Sequence, residues 1–249
     1  MNFVHTLEHH LLDHVFFRWP AAGPLSLPFS KHLLMMGLSA GLVAGVLVSA
    51  GQMARRGGRN RFVSFIESLT VFVRDEIVLP NIGEEGRAYL PYFLSMFFFI
   101  LAMNLLGMVP GGATATGNIS VTAGLAGCTL FMINVAGVRE HGWGGYVKSL
   151  VPHGMPVWLL PLMYPIELLG LLTKSFALCI RLFANMIAGH IVILAFLALI
   201  FLFGKLWVAP MSVAAALGIS LLELFVAFLQ AYIFTLLSAI FVGSAVHSH

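Results

Sequence analysis

Two long apolar stretches carry side chains that have no place in plain hydrocarbon: Glu167, Lys174, Arg181, Asn185 and His190 in one, Glu223 and Gln230 in the other. A charge at the centre of a bilayer costs about 2.5–3.5 kcal/mol on insertion scales, so such groups face a cavity or a partner and mark an ion path. Arginine does not deprotonate in proteins. Arg181 therefore cannot relay protons, but it can attract a carboxylate, favour its ionised form and block a continuous proton path. Histidine titrates near pH 6.5, and burial favours the neutral form of a carboxyl. His190 and Glu223 together suit proton exchange.

Spacing supplies the geometry. Glu167, Lys174 and Arg181 stand seven residues apart, so on a helix they share a face with two turns between neighbours. Asn185, four residues beyond Arg181, joins that face. His190, nine beyond Arg181, comes about half a turn round. Glu223 and Gln230 again share a face. Folding the two stretches about residue 207 brings His190 level with Glu223, and Arg181 level with about Ile233, within a turn of Gln230. The expected result is an Arg–Asn–Gln layer deep in the membrane and a His–Glu layer nearer the outer surface, with Glu167 on the cytoplasmic side of the arginine. Glu167 is roughly 21 Å from Arg181 along the helix, so the chain has no mobile acid for Arg181 to act on. A partner subunit presenting a carboxylate is expected.

The elements that must position these groups are membrane spans. Of 249 residues, 59% are hydrophobic and 9% charged, and the mean hydropathy is +0.96. Globular proteins average about 25% charged residues. So few charges cannot coat a soluble domain, which excludes a soluble enzyme, a nucleic-acid-binding domain and a disordered chain. The apolar residues form long runs and do not alternate, which favours helices over a barrel. The expected fold is an all-α integral membrane protein of one domain. Its parts are an outer segment (1–32), three spans with their connections (33–160) and a tilted helical hairpin with the ion path (161–245). The runs are about Leu33–Gln52, Tyr89–Val109, Ile119–Val138, Pro161–Phe203 and Met211–Ala245. From Leu168 to Phe203 a continuous helix is about 54 Å long against about 30 Å of hydrocarbon, so the last two helices are expected to tilt steeply. Residues 62–79 mix apolar side chains with Glu67, Arg74, Asp75 and Glu76 and read as an amphipathic helix at the interface, ended by Pro80.

Arg55, Arg56, Arg59 and Arg61 follow the first run at once. By the positive-inside rule that end is cytoplasmic, which places the N-terminus outside and, after five spans, the C-terminus inside. Cys128 and Cys179 lie in apolar runs and read as small buried hydrophobes. Residues 1–30 have the pattern of neither a secretory signal nor a transit peptide. His5, His9, His10 and His14 have helical pair spacing that could ligate a metal, but they read as a solvated amphipathic helix.

The segment Arg181-Leu182-Phe183-Ala184-Asn185-Met186-Ile187-Ala188-Gly189-His190 closely resembles the signature of subunit a of F-type rotary ATP synthases. So do Tyr164-Pro165-Ile166-Glu167, Glu223, Gln230, Met103-Asn104-Leu105-Leu106-Gly107-Met108-Val109-Pro110 and Asn118-Ile119-Ser120-Val121-Thr122. The resemblance covers most of residues 85–245. It implies a proton-channel stator subunit lying against a ring of c subunits, each with a membrane carboxylate, and held with peripheral-stalk b subunits and the remaining synthase subunits in a lipid bilayer. It implies no nucleic-acid partner, no cofactor, no metal and no catalytic site for ATP. Carried over to this chain, Arg181 faces the ring and separates two half-channels. His190 and Glu223 line the outer one, with Asn104, Asn118, Asn185 and Gln230 as polar neighbours, and Glu167 belongs to the cytoplasmic one. The implied location is a bacterial inner membrane, with an organellar energy-coupling membrane as the other possibility.

Plainer readings stand beside these. Arg181 could be a structural ion-pair partner of Glu223. Lys174 could snorkel to the interface, and Glu167 could be only an interfacial acid. Asn104 and Asn118 could be helix caps. Two rival functions are a secondary ion-coupled transporter, which calls for inverted repeats or broken mid-membrane helices, and a purely structural membrane subunit, which needs no deep arginine.

Overall fold

The computed structural model of the protein describes residues 15–18, 28–56, 60–109, 115–149, 159–203 and 207–247. Helix dominates. The chain runs through α1 (Lys31–Arg55), α2 (Arg61–Phe72), a π-helical turn (Val73–Val78), α3 (Leu79–Ile82), a 3-10 turn (Glu84–Ala88), α4 (Leu90–Gly107), a second 3-10 turn (Ala115–Gly117), α5 (Ile119–Ser149), α6 (Leu160–Phe203) and α7 (Val208–Val246). Five of these helices are long and apolar enough to cross a membrane: α1, α4, α5, α6 and α7. They match the five apolar runs. The all-α reading has one exception among the described residues, a small antiparallel ribbon of β1 (Val15–Arg18) and β2 (Pro28–Ser30) ahead of α1. The four N-terminal histidines expected on an amphipathic helix lie outside the described residues.

Three local features differ from the sequence expectation. Pro80 does not end the interfacial helix. The Leu79 N–H reaches back five residues to the Arg74 carbonyl, Pro80 sits in the first turn of α3, and the helix stops at Gly83, with φ 76°. A wider π turn accommodates a ring that would otherwise clash with the carbonyl four residues back. Second, α5 does not stop near Val138. It continues to Gly142, where φ 69° and ψ 168° turn the chain back. The Tyr146 hydroxyl then donates to Asn134 Oδ1 at 3.0 Å, a contact that twelve residues of straight helix, about 18 Å, would not allow. Third, Cys128 is exposed and Cys179 buried. On a spanning helix the exposed face meets lipid, so a thiol there still occupies an apolar phase.

The described residues divide into two compact units. The first takes the chain up to Val46 with Phe98–Val121 and Leu182–Ala231. Its core contains Ile100, Met103, Leu182, Met186, Ala227 and Ala231. The second takes Leu47–Phe97, Thr122–Arg181 and Tyr232–His249. Val73, Ile77, Val78, Ile82, Phe93, Phe97, Ile133 and Phe234 are fully enclosed there. Hydroxyl contacts tie its helices: Thr129 Oγ1 meets Tyr92 Oη and Ser238 Oγ, each at 3.3 Å, joining α4, α5 and α7. Thr122 Oγ1 meets Cys179 Sγ at 3.3 Å, joining α5 and α6. Interhelical polar contacts are the usual glue where lipid supplies no hydrophobic drive. At the chain's end a His247 ring nitrogen hydrogen-bonds the Ile82 carbonyl at 2.9 Å, seating the end of α7 on α3.

Candidate functional site

The first unit gathers a seam of polar groups between apolar helices. The latter part of α6 and the first part of α7 pair antiparallel there. The His190 ring nitrogen Nδ1 lies 2.9 Å from Glu223 Oε1, and one layer deeper Asn185 Nδ2 donates to Gln230 Oε1 at 2.7 Å. This is the register expected from a fold about residue 207. Helical spacing sets both rungs, because Asn185 and His190 are five residues apart on α6 and Glu223 and Gln230 seven apart on α7.

The His190–Glu223 contact meets an ion-pair distance without hydrogen-bond direction. Nδ1 is also 3.1 Å from the Met186 carbonyl, and Nε2 is 3.3 Å from the Gly107 carbonyl at the end of α4. Glu223 is 6% exposed, and its Oε1 has no hydrogen-bond partner of acceptable geometry among the described residues. Gln230 Nε2 is in the same condition. Leaving a buried polar group unsatisfied costs about 1–3 kcal/mol, and such groups recur where function needs them. Gly189 makes the close approach possible. A Cβ there would stand 2.7 Å from Glu223 Oε1 and 3.0 Å from its Cδ.

Asn104 completes the seam from α4. It is fully buried, donates through Nδ2 to the Ala227 carbonyl at 3.2 Å, and accepts from the Thr116 hydroxyl at 3.0 Å. Among the described residues these contacts tie α4 to α7 and to the 3-10 turn ahead of α5. Asn118 caps: its Oδ1 accepts the Ser120 N–H at 2.9 Å at the start of α5. Thr116, the Gly107 carbonyl and Gly189 were not singled out from the sequence. Thr116 lies between α4 and α5, outside any helical period, and Gly107 is the last residue of α4. Gly189 had a signal, since it is the residue before His190 in the signature segment.

The second unit holds the other candidates. Arg181 is exposed on α6 and joins no ion pair among the described residues. Glu223 belongs to the first unit, where its carboxylate lies against His190. Lys174 is half-buried with Nζ 5.4 Å from the centre of the Phe241 ring, a cation–π contact to α7. Glu167 is half-buried on α6. The structure therefore brings together His190, Glu223, Asn185, Gln230 and Asn104 in one unit, and holds Glu167, Lys174 and Arg181 on the helix that continues into the other.

The chain is similar to known proteins along most of its length. The family profile described as ATP synthase A chain matches residues 33–243. ATP synthase subunit a of Myxococcus xanthus is 52% identical over 233 residues, covering 91% of this chain and 77% of the relative. The subunit a of Anaeromyxobacter dehalogenans is 48% identical over 232 residues, covering 91% of this chain and 60% of the relative. That of Chloroherpeton thalassium is 43% identical over 253 residues, covering 96% and 75%. With five helices long and apolar enough to cross a membrane and a profile match across most of its length, the chain belongs to the ATP synthase A chain family, whose members are ATP synthase subunit a.

Proposed function

We propose that the chain is the non-catalytic, proton-translocating stator subunit of its synthase, and that it offers a passing c-ring carboxylate two offset half-channels separated by Arg181. The observation that carries this reading is the His190–Glu223 contact, with a carboxylate oxygen and the Gln230 amide left unsatisfied in an otherwise apolar interior. Groups in that condition can take up and hand on a proton or a hydrated ion. Asn185, Gln230 and Asn104 provide polar neighbours for the outer half-channel, and Asn118 fixes the start of the helix that follows it. Glu167 serves the cytoplasmic half-channel. A guanidinium that is exposed and joins no ion pair among the described residues supports a role for Arg181 toward a carboxylate on another subunit. In this reading the partners are the c-ring and the peripheral-stalk b subunits, in a bacterial inner membrane, with the N-terminus outside and the C-terminus in the cytoplasm.

ATP-driven acidification of membrane vesicles containing the whole complex tests this, at matched assembly. The unaltered complex pumps, Arg181→Ala does not, and Glu223→Gln pumps more slowly. Equal pumping by Arg181→Ala would return the arginine to a structural role. It would also revive the purely structural reading of the subunit.

A further inference from the structure

Helix α2 has two apolar sides, and only one is used. At about 100° per residue, Val63 and Ile66 point to one side and are buried. Phe62, Phe65, Leu69 and Phe72 fall within an adjacent arc of about 80°, on which Phe62 is 47% and Phe65 60% exposed. Ser64, Glu67 and Ser68 occupy the opposite, polar arc, with Val71 the one apolar residue among them. The far end of the aromatic arc is anchored, Phe72 stacking on Tyr232 of α7 at 5.6 Å. The near end is open.

Three arginines stand at that open end. Arg55 and Arg56 finish α1 and Arg61 begins α2, and all three are exposed. Arg56 and Arg61 are five residues apart in the chain, so their Cα atoms lie within about 18 Å. Nearby arginines show what a matched one looks like. Arg74 grips Asp75 through two nitrogens at 2.6 and 3.0 Å, holding that carboxyl below its usual range, and Arg87 meets Glu84 at 2.6 Å. Arg55, Arg56 and Arg61 join no ion pair among the described residues. The first turn of α2 holds no acid, and Asn60 makes no side-chain cap, so its dipole adds positive potential where negative charge would be favoured. The surface is continuous with lipid-facing helix: Val48 and Met53 near the end of α1 are exposed, and only 11% of that span is buried.

We propose that the α1–α2 junction is a docking site for anionic phospholipid. In it Arg55, Arg56 and Arg61 hold headgroup phosphates while Phe62 and Phe65 enter the acyl region. Basic clusters just cytoplasmic of a span bind anionic lipid with about 1 kcal/mol per residue, roughly fivefold each. A second subunit would cover the aromatic arc equally well, but three unmatched positive charges beside it specify an anionic surface. This inference does not depend on the proton path.

The test uses the whole complex with Phe65→Trp, reconstituted with brominated phosphatidylglycerol or brominated phosphatidylcholine. The added tryptophan emission is expected to be quenched by both, with phosphatidylglycerol favoured by about a hundredfold at low ionic strength if all three arginines contribute in full. Adding about 0.5 M salt, which shortens the Debye length below ~5 Å, should bring the two lipids to near parity. Arg55→Gln with Arg56→Gln and Arg61→Gln should do the same at low salt while quenching persists. Absence of quenching by either lipid would show the arc covered by another subunit and overturn the proposal. Equal quenching at low salt, or a preference untouched by salt, would overturn it too. If the triple variant fails to assemble, the salt series on the unaltered arginines still decides.

Discussion

Gly189 and Gly243 both lie where a methyl group has no room, and what obstructs it differs. At Gly189 the obstacle is the end of the Glu223 side chain, which can swing aside. At Gly243 it is the backbone carbonyl of Asn81, which cannot. Gly189→Ala should therefore leave the complex assembled while displacing the carboxylate, with pumping down by up to about a hundredfold, the scale of a 1 Å misplacement in a working site. Gly243→Ala should separate α7 from α3 and cost about 1–3 kcal/mol, read as a lower thermal midpoint and less assembled complex. Normal pumping in Gly189→Ala would show that the exact seat of Glu223 does not matter. At this scale the pairing of His190 with Glu223 and of Asn185 with Gln230 was legible, because helical arithmetic on two uninterrupted helices needs no tertiary information. Thr116 was not, because it lies between helices, and the Gly107 carbonyl was not, because a backbone group carries no side-chain signal.

Among the elements, the spans were readable because the bilayer demands long apolar runs and satisfied backbone groups. Their interruptions were not. The π turn at Val73–Val78 lies in sequence that reads as ordinary helix, and the reversal at Gly142 lies beyond the expected end of its run near Val138; both answer to packing, since Ile77 and Val78 are wholly buried and Tyr146 returns to Asn134. The fold about residue 207 was legible, the β1–β2 ribbon was not. Asn118 offers a test at the element scale. If its work is to start α5, Asn118→Asp should keep the cap and near-normal assembly, whereas Asn118→Ala should cost about 1 kcal/mol. Loss of pumping in the well-assembled Asp variant would assign the side chain to the path instead.

At the scale of the molecule, α6 and α7 are 44 and 39 residues long, about 66 and 58 Å, roughly twice the hydrocarbon thickness. Such lengths exceed an upright crossing, and the proposed five-crossing topology makes a labelling prediction. In that topology Trp207, 79% exposed between α6 and α7, and Ser244, exposed near the end of α7, would lie at opposite surfaces. In a background with Cys128→Ser and Cys179→Ser, a membrane-impermeant maleimide should label Trp207→Cys in right-side-out vesicles and Ser244→Cys only in inverted ones. Labelling of both from one side would break the five-crossing topology. What could not be read from the sequence at this scale is the partition into two units, because each is assembled from three separated lengths of chain.

The π turn has a further consequence. A turn of that kind holds about one residue more than the α-helix it interrupts, and one residue is worth about 100° of rotation. It is thus a phase setting for everything N-terminal to it. Val73, Ile77 and Val78 keep their grip on the protein, while α2 is clocked so that Phe62 and Phe65 face outward. Deleting one residue between Val73 and Val78 would restore a regular helix, leave the composition almost unchanged, and turn the aromatic side of α2 by more than a quarter of a circle.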